Sequence, residues 1–126
     1  MRKSKGFTLL ELIIVIIVIG ILVAIALPQF VRVAERGRIA KAKTVLDAFR
    51  KAEGIYHALH STYTTDETAL DDEIPEIANV DDSDWSYSVS QAGATTFTVE
   101  AQRLKGAHIG NVVKIDNTGN IWEYTP

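Results

Sequence analysis

FTLLELIIVIIVIGILVAIAL, residues 7–27, is twenty-one residues of almost unbroken hydrocarbon, and Glu11 is its only charged side chain. At 1.5 Å per residue this stretch makes a helix about 30 Å long, enough to cross the apolar core of a bilayer. An ionised acid placed centrally in such a core costs about 2.5–3.5 kcal/mol on insertion scales, so a span that keeps one is expected to have a partner for it. Before the span lie Met1-Arg2-Lys3-Ser4-Lys5-Gly6, with three cations and no acid. The positive-inside rule then puts the N-terminus in the cytoplasm and residues 29–126 on the far side of the membrane.

Two ordinary readings meet difficulties. A secretory signal has a basic start, an apolar stretch of about 7–15 residues and a small-residue cleavage site, which Ala24-Ile25-Ala26 could supply. Here, however, the run is longer, carries a glutamate, and flows into a further helical pattern without a polar break. A plain single-span anchor leaves Glu11 unexplained.

Lys5-Gly6-Phe7-Thr8-Leu9-Leu10-Glu11-Leu12-Ile13-Ile14-Val15, followed by Gly20-Ile21-Leu22 and Ala26-Leu27-Pro28-Gln29-Phe30, resembles the N-terminal signature of type IV pilins and type II secretion pseudopilins. The resemblance covers about the first 30 residues and is specific, because the basic leader, the Gly-Phe junction, the glutamate and the downstream proline fall in register. It implies that a membrane prepilin peptidase and methyltransferase cuts between Gly6 and Phe7, removes the leader 1–6, and N-methylates Phe7. It also implies polymerisation through the helix, with Glu11 pairing with the N-terminal ammonium of a neighbouring subunit. Within its own chain, Glu11 could in addition cap the first helical turn. Methylation keeps the charge of the amine, and pairing lowers the cost of a carboxylate in a low-dielectric setting. Gly20 and Pro28 weaken the helix, Pro28 because it has no N–H for the carbonyl of Ala24. The resemblance implies that residues 20–28 partly unwind in the filament.

The helical pattern continues past Pro28. Val31, Ala34, Ala42, Val45, Leu46, Phe49, Ala52, Tyr56 and Leu59 recur at three- and four-residue spacing, with Arg32, Glu35, Arg36, Arg38, Lys41, Lys43, Asp47, Arg50, Lys51 and Glu53 mostly elsewhere. One helix is expected from Phe7 to about Leu59, closed by His57, His60 and Ser61; the two histidines read as a polar helix end rather than a metal site. Residues 63–84 form an acidic connector in which Leu70, Ile74, Ile77 and Val80 predict a short helical turn or two, interrupted at Pro75. Alternation then predicts strands at Trp85-Tyr87-Val89 and Phe97-Val99-Ala101, joined by a turn at residues 91–94. A hairpin follows, with residues 112–115 and 121–124 flanking Asp116-Asn117-Thr118-Gly119-Asn120. The expected fold class is α+β and pilin-like: a long N-terminal helix, one half membrane-spanning and one half amphipathic, packed against a small antiparallel sheet. The domain division is a leader at 1–6, a transmembrane and filament-core helix at 7–28, and a periplasmic or surface domain at 29–126.

The formal charge is −3, or about −6 once the three leader cations are removed. It is unevenly placed: residues 32–51 hold seven bases and two acids, while residues 66–84 hold nine acids and no base. Attraction between the two runs is expected either within the chain or between filament neighbours, with salt-sensitive strength. Cysteine is absent, whereas many type IV pilins close their C-terminal region with a disulfide; the resemblance therefore leans toward pseudopilins or minimal pilins. Major pseudopilins often bind calcium in a C-terminal loop, which draws attention to Asp116, Asn117 and Asn120 and to Asp81-Asp82-Ser83-Asp84. Neither stretch has the spacing of a calcium loop, and no cofactor or metal is expected. No nucleophile elbow, phosphate loop or metal motif occurs, so no enzyme activity is expected, and the acidic balance argues against nucleic acid.

The resulting expectation is a homo-oligomeric structural subunit of a type IV pilus or type II secretion pseudopilus. It would begin as a single-pass protein of the bacterial inner membrane, in contact with lipid, the prepilin peptidase and inner-membrane assembly machinery. The alternative is a monomeric, single-span anchored binding protein.

Overall fold

Helix α1, Leu9–His60, runs for 52 residues in a computed structural model that describes residues 4–74, 77 and 82–126. It begins two residues later than the apolar pattern alone suggests, because Thr8 takes the N-cap. Thr8 Oγ1 accepts from the Glu11 amide at 3.2 Å, and Glu11 Oε2 accepts from the Thr8 amide at 2.9 Å. This Thr-x-x-Glu reciprocity is a capping box, which satisfies amides that no helical carbonyl can reach. The helix passes Gly20 and Pro28 without a break.

The chain divides into two units, Met1–Glu35 and Arg36–Pro126. In the first, every large apolar side chain from Phe7 to Val33 is exposed, as no second element covers them. In the second, the remainder of α1 lies against a four-stranded sheet, and its buried apolar positions are Ile39, Ala42, Leu46, Phe49 and Ala52, at helical spacing. Val45 and Tyr56 pack at the margin of this core, as the periodicity predicts. Leu59 does not join them and is 67% exposed, while Ile39, outside the predicted stripe, is buried. The tip of the first hairpin reaches α1 at His57, whose Nε2 lies 3.0 Å from the Ala94 carbonyl. Leu59 is past that contact, with nothing opposite it among the described residues.

The sheet is an antiparallel meander in the order β1 (Trp85–Ala92), β2 (Phe97–Arg103), β3 (Val112–Asp116) and β4 (Ile121–Trp122). Its inner face buries Trp85, Val89, Phe97, Val99, Ala101, Val113 and Ile115, alternating with polar residues as a one-sided sheet requires. A register shift between Val89 and Gln91 keeps β1 paired as far as Ala92, so the turn falls at residues 93–96 rather than 91–94 and is closed by Gly93 N–H to the Thr96 carbonyl at 2.9 Å. β4 is shorter than the predicted 121–124. Glu123 leaves the sheet edge to pair with Lys43 of α1, and the Tyr124 ring lies 5.2 Å from His108 and 6.4 Å from Trp85.

In the connector, α2 (Glu67–Glu73) starts at Asp66, whose Oδ1 accepts from the Thr68 amide at 3.1 Å. It sends Leu70 fully into the core, and Ile77 is buried beyond it. The expected interruption at Pro75 and the apolar contact at Val80 lie outside the described residues.

Candidate assembly surface

Gly6 and Phe7 precede the first helical turn in irregular backbone. A Cβ added at Gly6 would meet no atom within 4 Å, and Phe7 is 91% exposed. An enzyme acting on this peptide bond therefore meets backbone free of helical hydrogen bonding. Glu11 follows within the next turn, held by the Thr8 amide. The sequence brings Gly6, Phe7 and Glu11 together on one short segment, and the capping box gives the carboxylate a partner inside its own chain. Arg2 and Lys3, the other cations before Phe7 besides Lys5, lie outside the described residues.

From Leu9 to Val33 the helix offers leucine, isoleucine, valine and phenylalanine in every direction, with Leu9 75% and Phe30 69% exposed. A helix apolar all round is stable in lipid or among other apolar helices, not in water. An 18-residue window within α1 is long and apolar enough to span a membrane, with none of it buried. A Cβ added at Gly20 would likewise meet nothing, so no packing partner within the chain demands a glycine there.

The basic flank of α1 is engaged inside the chain. Lys41 Nζ lies 3.3 Å from Asp82 Oδ2, Arg38 Nε lies 3.9 Å from Asp84 Oδ2, and Lys43 pairs with Glu123. Asp82 is the most structured of these acids, accepting from the Tyr87 hydroxyl at 2.7 Å and from the Asp84 amide at 2.9 Å. Burial pushes its carboxyl up, but Tyr87, the Asp84 amide and Lys41 together outweigh this and hold it below the usual range. Burial, reinforced by Asp82, pushes the Tyr87 hydroxyl up, so it remains a donor. Asp84 also takes the buried Arg103 guanidinium at 3.1 Å, with Arg103 lying over the Trp85 ring. The attraction between the basic and acidic runs thus operates within one subunit.

Glu53 is a polar residue that sequence reasoning misplaced, as is Glu35, which is 4% exposed. Glu53 is fully buried; one oxygen, Oε2, accepts from the Thr64 amide at 3.0 Å, and Oε1 is buried without a partner among the described residues. Burial raises its pKa, opposed by the Thr64 bond. The signal was present in the numbering, since Glu53 is four residues from Phe49 and seven from Leu46, squarely on the core stripe.

Among the described residues, no group of three or more His, Cys, Asp or Glu converges as a metal site would require. At the β3–β4 turn, Asp116 Oδ1 accepts from the Thr118 amide at 2.9 Å, the Thr118 hydroxyl at 2.6 Å and the Asn120 amide at 3.1 Å. The Thr118 hydroxyl, then the turn amides, hold this carboxyl below its ordinary range against a small opposing effect of desolvation. Asp116 therefore serves the turn. Asp81, part of the other acidic stretch considered for calcium, lies outside the described residues.

Residues 1–27 match the family described as the prokaryotic N-terminal methylation motif. The chain is 36% identical over 103 residues to the type IV narrow pilus major component PilA5 of Thermus thermophilus, covering 77% of this chain and 87% of that protein. It is 40% identical over 62 residues to the type IV major pilin protein PilA of Myxococcus xanthus, covering 49% of this chain and 28% of the relative. Over 71 residues it is 35% identical to the type II secretion system core protein G of Vibrio cholerae, covering 56% of this chain and 49% of that protein.

Proposed function

The chain belongs to the family of type IV pilins and type II secretion pseudopilins, and from that premise we propose how its residues serve a filament subunit. The precursor is inserted in the bacterial inner membrane with residues 1–6 in the cytoplasm. Prepilin peptidase cuts between Gly6 and Phe7, Phe7 becomes the methylated N-terminus, and the apolar part of α1 leaves lipid for the core of a helical filament. The single observation that carries this reading is the apolar half of α1, uncovered on all sides and opened by a charged cap.

Glu11 has a role at each stage. In the precursor, the Thr8–Glu11 capping box supplies the carboxylate with a hydrogen bond, which lowers the cost of carrying it into the membrane. Cleavage then creates an ammonium at Phe7, and in the filament the carboxylate pairs with the ammonium of a neighbouring subunit, fixing register. Gly20 and Pro28 serve as the weak points of the span, where the helix that is continuous in the isolated subunit unwinds on assembly.

The absence of cysteine leans toward pseudopilins or minimal pilins, but a relative matched over 87% of its own length is a pilus major component, which favours an extended pilus. The subunit has a structural role and carries out no catalysis. Intact-mass measurement of the native protein tests the processing: a chain starting at methyl-Phe7 is expected, and one starting at Met1 would overturn it in favour of a monomeric anchored protein. Imaging of native filaments tests the form, with long surface fibres expected and short envelope-confined assemblies refuting the pilus assignment.

A further inference from the structure

Cross-strand register sets three unlike side chains in one transverse row on the outer face of the sheet. Glu100 pairs with Lys114 across β2 and β3, and Lys114 with Trp122 across β3 and β4. Directly paired residues share a face, and their strand neighbours Val99, Val113 and Ile115 are buried on the opposite one, so the row points away from the core. Trp122 is 51% exposed, at a position where the core gains nothing from an indole. With Ser90, Gln91 and Thr98 the row lines an open depression of about 510 Å³, within the roughly 300–1,000 Å³ range of small-ligand sites.

The chemistry of the lining selects among occupants. It holds one cation and one anion, paired at 2.7 Å between Lys114 Nζ and Glu100 Oε1, and therefore no net charge. It mixes donors and acceptors: hydroxyls, an amide, an ammonium and a carboxylate. An anionic polymer such as single-stranded nucleic acid is best held by aromatic stacking in a positively charged groove, and here the groove has no net positive charge. A second copy of the chain needs about 800 Å² of complementary surface per partner, more than one indole in a polar rim supplies. A neutral sugar matches every feature, because a pyranose offers an apolar C–H face to an aromatic ring and a rim of hydroxyls that both donate and accept.

We propose that this depression is a binding site for neutral carbohydrate, with a sugar ring stacked on Trp122 and its hydroxyls bonded to Glu100, Lys114 and Gln91. None of these residues lies in α1, so the site stands apart from the filament reading. The full-length chain in a detergent without a sugar headgroup would be mixed with neutral oligosaccharides containing glucose, galactose or N-acetylglucosamine, and with a twelve-residue oligothymidylate as control. Saturation-transfer NMR reads contact on the ligand and does not depend on Trp122 as reporter. At least one oligosaccharide is expected to bind saturably, with affinity at least tenfold weaker for both Trp122→Ala and Glu100→Gln, while the thermal unfolding of both variants stays that of the parent. The proposal is overturned by absence of transfer to every oligosaccharide, by undiminished binding to Trp122→Ala, or by Trp122-dependent binding of the oligothymidylate in place of sugar.

Discussion

Replacing Glu53 by glutamine tests whether a buried carboxyl sets the pH dependence of stability. Glu53 is completely buried, with Oε1 unpartnered among the described residues, and its folded pKa lies above the ordinary 4.5. The folded state therefore holds a proton that the unfolded state releases, and stability falls as pH rises from about 4.5 to the folded pKa, above which the loss is complete. Within that window the slope is about 1.4 kcal/mol per pH unit. Glutamine keeps an oxygen for the Thr64 amide and presents a neutral group where the acid would be charged. The variant is expected to match the parent near pH 4.5, to exceed it progressively as pH rises to the folded pKa of Glu53, and to keep that advantage above it. In a domain of this size each 1 kcal/mol is worth about 4–8 °C in Tm. Thermal unfolding of both full-length chains in detergent micelles, from pH 4.5 to 7.5 and followed by the fluorescence of buried Trp85, gives the comparison. The difference between the two curves cancels whatever parent and variant share. Asp66, Asp82 and Asp116, whose folded pKa values are lowered from 3.8, contribute stability that is lost only as pH falls through those lowered values, below the window. Parallel Tm curves for parent and variant, or a variant less stable at pH 7.5, would refute the reasoning.

Leu46→Ala, at the fully buried centre of the α1 stripe, is expected to lower unfolding stability by about 2–5 kcal/mol in denaturant titration. Gly119→Ala forces a Cβ onto backbone at φ +86° with the Arg50 guanidinium carbon 3.2 Å away; a loss of about 1–2 kcal/mol is expected by the same titration. Lys41→Glu faces the acidic Asp82 and is expected to lower Tm of the subunit, with the deficit shrinking in high salt. Glu11→Gln retains the acceptor of the capping box but removes the charge, so membrane insertion should persist while filaments, counted by electron microscopy, disappear. Normal filaments from Glu11→Gln would show that the cap, not the ionic pair, is what assembly needs.

The parts of the fold that were legible in advance are those where a residue's role follows from its own spacing. Trp85, Val89, Phe97, Val99, Ala101, Val113 and Ile115 alternate along the chain, and they alternate across the sheet. Ala42, Leu46, Phe49 and Ala52 recur at helical intervals and line the helix face that the sheet covers. What spacing could not show is where one element stops opposing another. Leu59 continues the stripe and is exposed because the hairpin tip ends at His57, and β4 is cut short because Glu123 turns to Lys43 of α1 and the Tyr124 ring lies against His108 and Trp85 instead of pairing with β3. Glu53 was missed for a different reason: its charge placed it with the solvent-facing residues although its position placed it in the core.

Glu11 and Glu53 lie on the same helix and show two ways of carrying an acid where water is scarce. Glu53 is enclosed by its own subunit, has one donor among the described residues, and burial raises its pKa. Glu11 sits at a helix start, where its Oε2 accepts from the Thr8 amide and the positive end of the helix dipole lies beside it. A protonated carboxyl could enter a filament core without a counter-charge; an ionised one requires a cation beside it. The capping box therefore does more than begin a helix: it fixes the Glu11 carboxyl four residues from Phe7, where the proposed cleavage of the Gly6–Phe7 bond would create the ammonium that a carboxylate in a filament core calls for.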